Sequence, residues 1–191
     1  MKALIVNNHS KFVQNIVNIL DEFSVFSEVI DYDKFEFTKK IESDFDFFIL
    51  SGGDIPITTN NLLDQERELI KKTIKPLFGI CCGFEVISLL HGVELVDLPK
   101  KIKGVTKIQI IDPVQLNQIT EFNELEVFES HDCAIQKTPH NFVVLAKSKT
   151  GIEIIKHKTR PIMATQFHPE VLENNNGKII LEEFIKNIIA M

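Results

Sequence analysis

Short apolar runs alternate with amphipathic segments over the first half of the chain. The runs predict buried strands, because they are compact and stop at turn-forming residues. They are Ala3 to Val6, Val29 to Ile30, Phe45 to Leu50, and a run that starts at Leu77. The predicted helices are one through Phe12, Ile16, Ile19 and Leu20, which Ser10 caps, and a surface helix from Leu62 to Ile74. This alternation is typical of a parallel α/β sheet, whose ligands gather outside the carboxyl ends of the strands.

The second half of the chain has a different pattern. Turn-forming segments such as Pro139-His140-Asn141 separate some of its apolar runs, which favours antiparallel pairing. Strands are predicted at Val105 to Ile111, Leu125 to Phe128, Phe142 to Ala146, Ile152 to Lys156 and Ile162 to Gln166, and a closing helix at Ile179 to Ile189. The predicted fold is α/β, with a mostly parallel central sheet flanked by helices and a smaller antiparallel section. Since no repeat or linker is visible, residues 1–191 are expected to form one domain.

The composition narrows the class of protein. The chain has 191 residues, of which 44% are hydrophobic and 25% charged, as expected for a globular protein with a proper core. A net charge of −6 argues against a nucleic-acid partner or an anionic membrane surface. We expect a cytoplasmic protein, because no signal peptide or membrane-length apolar run is present. Three cysteines, two of them adjacent, are a poor disulfide or zinc pattern, and we expect no metal or cofactor.

The segment from Lys75 to Leu90 predicts a strand, a sharp turn and a helix. A nucleophile on such a turn needs nearly side-chain-free neighbours two positions away on each side. Cys81 meets this condition, since glycines stand at 79 and 83, whereas Cys82 has larger residues in both places. The N-terminus of the following helix is expected to lower the pKa of the thiol. Taken alone, the pattern also fits a buried structural cysteine.

A thiol nucleophile needs a base, and the base needs an orienting partner. His168 directly follows a predicted strand, precedes Pro169, and has a carboxylate two residues on in Glu170. This segment therefore offers a base and its orienting group from one rigid strand end. By itself, it is equally consistent with a capped strand terminus.

Three motifs, taken together, resemble the class I (triad) glutamine amidotransferases. They are Leu50-Ser51-Gly52-Gly53, Gly79-Ile80-Cys81-Cys82-Gly83 and Phe167-His168-Pro169-Glu170. The resemblance covers nearly the whole chain and implies a flavodoxin-like fold. The segment from Val127 to His131 is most similar to the glutaminase subunits of archaeal-type GMP synthases.

The resemblance implies hydrolysis of glutamine to glutamate and ammonia. Cys81 would attack the side-chain amide, and His168, held by Glu170, would carry the proton to the leaving ammonia. Backbone N–H groups of Gly53 and Cys82 would meet the oxyanion, and water would hydrolyse the resulting thioester.

The resemblance also implies a substrate pocket, which is formed by Gly52, Glu85, Ser130 and His131. This chain departs from the family in the pocket, since Phe84-Glu85 replace the usual His-Gln. An ionised Glu85 would add a negative charge beside a thiolate, which should raise the pKa of the cysteine.

Further departures are Asp54, where proline is usual, and Cys133, where the family has an acidic residue.

Three functions remain open at this point. The first is a glutaminase that passes ammonia to a separate ATP-dependent synthetase subunit of the ATP pyrophosphatase type, because the chain has no Walker-type loop and ends about where the amidotransferase fold would end. The second is a γ-glutamyl hydrolase of different substrate, with Glu85 selecting another head group. The third is a binding or regulatory module that has lost catalysis.

Overall fold

The predicted apolar runs form the strands of one mixed sheet. The computed structural model describes residues 1–57, 63–116, 123–171 and 173–190. The strands are β1 (Lys2–Asn7), β2 (Phe26–Asp31), β3 (Phe47–Leu50), β4 (Leu77–Ile80), β5 (Val96–Ile110), β6 (Glu124–Ala134), β7 (Phe142–Lys147), β8 (Ile152–His157) and β9 (Ile162–Thr165). The helices are α1 (Val13–Glu22), α2 (Lys39–Asp44), α3 (Asp64–Lys72), α4 (Cys82–Leu90) and α5 (Lys178–Ile189).

The described strands lie in the order β2-β1-β3-β4-β9-β8-β7-β5-β6. The first five of these are parallel, and the remaining neighbours pair antiparallel. The α/β class and the parallel sheet are therefore confirmed. The antiparallel section is larger than predicted, and it continues the same sheet.

Each central strand is buried on both faces, as the continuous apolar runs indicate. Successive side chains point to opposite faces, so Ala3 and Ile5 join one core while Leu4 and Val6 join another. The first core includes apolar residues of α1 and α5, and the second includes those of α3 and α4. The sheet is thus covered by helices on both faces.

The parallel pairing of β3, β4 and β9 aligns the carboxyl ends of these three strands. Leu50 pairs with Gly79 in β4, which in turn pairs with Ala164 in β9. The residues that directly follow these strands, among them Cys81, therefore meet at one edge of the sheet.

Two predicted helix ends are wrong. Ser10 does not cap α1: its hydroxyl accepts a hydrogen bond from the N–H of Phe12 before the helix begins at Val13. The predicted surface helix ends at Lys72, because the backbone of Thr73 is already extended, and Ile74 is 81% exposed. Leu62, where that helix was predicted to begin, lies outside the described residues.

Strands β5 and β6 are longer than the sequence pattern indicates. They pair from Val96 with Ala134 to Gln109 with Glu124, with a register shift after Asp97. Most of β5 is exposed, and lysines occupy its first half, so periodicity identified only the apolar half of each strand. Among the described residues, no helix is both long and apolar enough to cross a membrane.

Candidate active site

The turn between β4 and α4 holds Cys81 in a strained conformation. Its φ of 47° and ψ of −99° lie in a region that residues with side chains rarely adopt. The N–H of Cys81 donates to the carbonyl of Thr165 at 2.8 Å, and the Cys81 carbonyl accepts from the N–H of Glu85 at 2.9 Å. These backbone bonds hold the cysteine at the carboxyl edge of the sheet.

The two glycines that flank the turn are required by packing. A Cβ at Gly79 would lie 2.7 Å from Cδ1 of Ile87 and 2.9 Å from the backbone of Gly83. A Cβ at Gly83 would lie 2.6 Å from the carbonyl oxygen of Leu50. Side-chain-free neighbours are therefore necessary for this turn to pack against β3 and α4.

The structure places the two adjacent cysteines differently. Cys81 is buried but borders the cavities at the carboxyl edge of the sheet. Cys82 is fully inaccessible and belongs to the core beneath α4.

His168 and Glu170 form a buried pair beside the turn. Nδ1 of His168 lies 2.8 Å from Oε1 of Glu170. The His168 backbone is also fixed, because its N–H donates to the carbonyl of Phe128 at 2.8 Å and its carbonyl accepts from the side-chain amide of Asn175 at 2.7 Å. Glu170 thus holds the ring through Nδ1, so that Nε2 is the ring nitrogen outside this contact.

Gly52 locates the histidine relative to the thiol. A Cβ at this position would lie 2.6 Å from Cε1 of His168 and 3.4 Å from Cβ of Cys81. The side chains of His168 and Cys81 therefore both pack against Gly52, in the loop that follows β3. Both also border one cavity of about 270 Å³.

Gly53 approaches the backbone even more closely. A Cβ there would lie 1.8 Å from the carbonyl oxygen of Asn8. The loop is fixed from the other side as well, since the Asn8 side-chain amide donates to the Ser51 carbonyl at 3.0 Å. The packing against Asn8 fixes the backbone of Gly53, which borders both of the cavities that Cys81 borders.

Two residues at the site were missed by sequence reasoning. Gln166 donates from Nε2 to Oε1 of Glu85 at 3.0 Å and lies 3.9 Å from Sγ of Cys81. Phe12 packs edge-on against the ring of His168, with ring centroids 5.3 Å apart. Gln166 stands directly before Phe167-His168 at the end of β9, a position that could have drawn attention to it.

The electrostatics of the thiol contradict one prediction and support another. Burial raises the pKa of Cys81 well above its usual value, with the charges of Glu85 and Glu170 adding to the effect and the backbone hydrogen bond of Cys82 opposing it. The N–H at the helix N-terminus lowers this pKa, as predicted, but the expected net decrease is wrong, because desolvation outweighs one backbone donor. Glu85 raises it, as predicted.

Burial also raises the pKa of Glu85 itself, to about 7. The hydrogen bond from Gln166 opposes this shift but does not cancel it. Glu85 therefore changes its charge near neutral pH, next to the thiol.

A second cavity of about 720 Å³ continues from the thiol towards β5 and β6. Among the described residues, four carboxylate side chains and one lysine border it, and this lysine, Lys101, pairs with Asp54 at 3.3 Å. The four are Asp54, Glu85, Asp97 and Asp132. This space therefore carries a net negative charge.

The predicted pocket residues on β6 border this cavity in different ways. The Ser130 carbonyl oxygen lies 4.0 Å from Sγ of Cys81. The His131 ring is almost wholly buried and is held by Glu129 and by the carbonyl of Cys133, so both of its ring nitrogens already have partners.

Comparison with known proteins agrees with this architecture. The family model described as "Glutamine amidotransferase class-I" matches residues 4–188. The chain belongs to the class I glutamine amidotransferase family.

Particular relatives refine the comparison. The chain is 29% identical over 189 residues to a protein named GMP synthase [glutamine-hydrolyzing] from Francisella tularensis subsp. novicida (strain U112), covering 98% of this chain and 36% of the relative. The chain thus spans about a third of that relative's length. The crystal structure of a putative GMP synthase subunit from Thermoplasma acidophilum superimposes with a TM-score of 0.86 at 29% identity, covering 100% of this chain and 94% of that one. A glutamine amidotransferase from Thermotoga maritima shares the fold, with a TM-score of 0.78 at 16% identity and coverage of 100% and 83%.

Proposed function

We propose that this protein is a glutaminase that releases ammonia from the side chain of glutamine. The observation that carries the proposal is the meeting of a strained Cys81 and a Glu170-bound His168 at the same glycine of the β3 loop. A nucleophile, a base and an orienting carboxylate are the groups that acyl transfer to a thiol requires.

The reaction proceeds in two halves. Nε2 of His168 takes the thiol proton of Cys81 while sulfur attacks the amide carbon. The tetrahedral oxyanion accepts hydrogen bonds from the backbone N–H groups of Gly53 and Cys82, and each such donor contributes roughly 10²–10³ in rate. The imidazolium returns its proton to the amide nitrogen, and ammonia leaves. Water then attacks the thioester, with His168 as base, to release glutamate and the free thiol.

The raised pKa of Cys81 shapes this first step. The resting nucleophile is a neutral thiol, because burial and two carboxylates disfavour the thiolate. Proton transfer to His168 therefore accompanies attack on the amide, rather than preceding it as a stable ion pair.

The relatives support a synthetase partner. One similar crystal structure is that of a putative GMP synthase subunit, which favours a separate ATP-dependent subunit, of the ATP pyrophosphatase type, as the partner of this chain. Ammonia released at Cys81 would pass to that subunit, with GMP as the product. The chain would act as one domain and need no cofactor for hydrolysis.

One observation favours a second candidate, a γ-glutamyl hydrolase that acts on another substrate. The large cavity beside the thiol has four carboxylates on its wall, and Glu85 stands where the family usually has glutamine. An acidic wall suits a γ-glutamyl compound with a cationic group better than one with an extra carboxylate.

The decisive experiment compares glutamate release from glutamine and from γ-glutamyl amides of diamines, with and without the candidate synthetase. Turnover of glutamine that depends on Cys81 supports the glutaminase, and preferential hydrolysis of the diamine amides supports the second candidate. A glutamine-like diazoketone, mapped by mass spectrometry, should label Cys81. Labelling at Cys82 instead, or no turnover of either substrate under any condition, contradicts both.

A further inference from the structure

A second group of buried ionisable side chains lies outside the proposed catalytic groups. Glu129 and His131 stand two residues apart on β6 and point to the same face, and Glu153 reaches them from β8. Their exposed fractions are 1%, 3% and 1%. One potential ligand atom from each lies within 4.8 Å of the other two.

The histidine has the orientation of a metal ligand. Its Nδ1 donates to the carbonyl of Cys133 at 2.6 Å, which directs Nε2 towards Glu129. Histidines that bind metal ions usually donate their second ring nitrogen to a backbone carbonyl or carboxylate in this way.

Glu153 provides an independent indication of a missing ligand. Its Oε1 accepts from the hydroxyl of Ser148 at 2.7 Å, but Oε2 is buried and has no hydrogen-bond partner among the described residues. A buried carboxylate oxygen is costly to leave without a proton, a donor or a cation.

With both carboxylates ionised, the three groups carry a net negative charge, because one imidazole can hold at most one positive charge. Without a cation, one carboxyl of this buried set must therefore keep a proton. A divalent cation with two carboxylates and a neutral imidazole gives a neutral set. We propose that Glu129, His131 and Glu153 bind a divalent transition-metal ion, with Zn²⁺ or Mn²⁺ matching the mixture of imidazole and carboxylate ligands.

The site needs only side-chain adjustments to accept the ion. Ligands at about 2.0–2.2 Å from one ion stand at most about 4.4 Å apart, so the set must contract slightly, and the direct contact of Glu129 with His131 must open. The hydroxyl of Thr106 contacts the other oxygen of Glu129 and would keep that carboxylate oriented. A cavity of about 510 Å³ borders Glu129 and Thr106 and offers a route from solvent.

The ion would have a structural role near the thiol. Ser130, whose carbonyl oxygen is 4.0 Å from Sγ of Cys81, lies between two of the ligands. Cross-linking β6 to β8 through the ion would fix this stretch of strand against the nucleophile.

Metal binding is measured on the full chain carrying Cys81→Ser, so that the nucleophilic thiol contributes no ligand. The protein is treated with EDTA, dialysed, and titrated calorimetrically with Zn²⁺ alone and with Mn²⁺ alone. We expect about one equivalent of at least one ion to bind, and binding at least about 100-fold weaker in Glu129→Gln and in Glu153→Gln. Glu66→Gln, which changes an equally buried carboxylate outside the cluster, is the matched control and should bind as the parent does.

Melting temperatures distinguish loss of a ligand from loss of the fold. In EDTA, Glu153→Gln should melt no lower than the parent, because the glutamine keeps the bond to Ser148 and removes a buried carboxylate. The binding ion should raise the Tm of the parent and of Glu66→Gln, but not that of Glu153→Gln. Absence of saturable binding of both ions, or unchanged affinity in either cluster variant, would overturn the proposal.

Discussion

Replacing Glu85 with glutamine tests the effect of the buried carboxylate in the candidate active site. The variant keeps the shape of the side chain and its carbonyl can still accept the hydrogen bond from Gln166. Its new amide N–H₂ can also donate a hydrogen bond to Oε1 of Gln166, which is buried and has no partner among the described residues. The substitution therefore removes a buried charge without leaving a new polar group unsatisfied.

The expected magnitude follows from the pKa of Glu85, which burial raises from 4.5 to about 7. A shift of about 2.5 units corresponds to roughly 3 kcal/mol between the two protonation states. A raised pKa means that the folded state binds the proton more tightly than the unfolded state does. The wild-type protein therefore loses stability as pH rises from about 4.5 to about 7, and the full cost is present above that range.

Urea unfolding at pH 5, 6, 7 and 8 measures this effect. With glutamine packing as the protonated carboxyl does, the free energy of unfolding of Glu85→Gln should exceed that of the wild type by about 1 kcal/mol at pH 5 and by about 3 kcal/mol at pH 8. Glu94→Gln changes an exposed carboxylate that follows the same helix, and it should show no such pH-dependent difference. A constant difference between Glu85→Gln and the wild type across this pH range would refute the reasoning, because it would mean that Glu85 does not titrate differently in the folded state.

Three further predictions concern the proposed catalytic groups. Gly52→Ala should reduce kcat for glutamine by about 100-fold, because the added Cβ displaces the ring of His168, while circular dichroism stays unchanged; full activity would contradict the proposed packing. Glu170→Gln should lower kcat by about 10²–10⁴-fold with little effect on KM, and a change in KM alone would argue against its role in orienting the base. Cys81→Ala should abolish hydrolysis, whereas Cys82→Ala should mainly lower Tm, and the reverse result would exchange their roles.

Much of the fold could be predicted because the decisive patterns are local. The central strands are recognisable as short apolar runs since both faces of a parallel sheet are buried. The turn at Cys81 is recognisable from its flanking glycines, which pack against α4 and β3 with no space for a Cβ. These features depend on neighbouring residues and on sterics alone.

Other features depend on contacts between distant parts of the chain. Phe12 and Gln166 reach the site only because the segment before α1 and the end of β9 meet at the carboxyl edge of the sheet. The pKa of Cys81 could not be predicted, since the local helix N-terminus and the burial imposed by the whole fold act in opposite directions. Likewise, Glu129 and Glu153 come from separate strands, and no spacing in the sequence relates them.

The raised pKa of Glu85 also makes this side chain more similar to the glutamine that relatives usually carry at the same position. A protonated carboxyl offers one O–H donor and a carbonyl acceptor, which resembles the side-chain amide, whereas the ionised form only accepts hydrogen bonds. With a pKa of about 7, both forms of Glu85 are populated at neutral pH. Ionisation of Glu85 also makes the neighbouring thiolate harder to form, because it adds a negative charge beside Cys81. In the proposed glutaminase reaction, glutamine recognition and thiol activation would therefore both favour protonated Glu85. Loss of the Glu85 proton would then oppose the gain in rate that higher pH otherwise gives a thiol nucleophile.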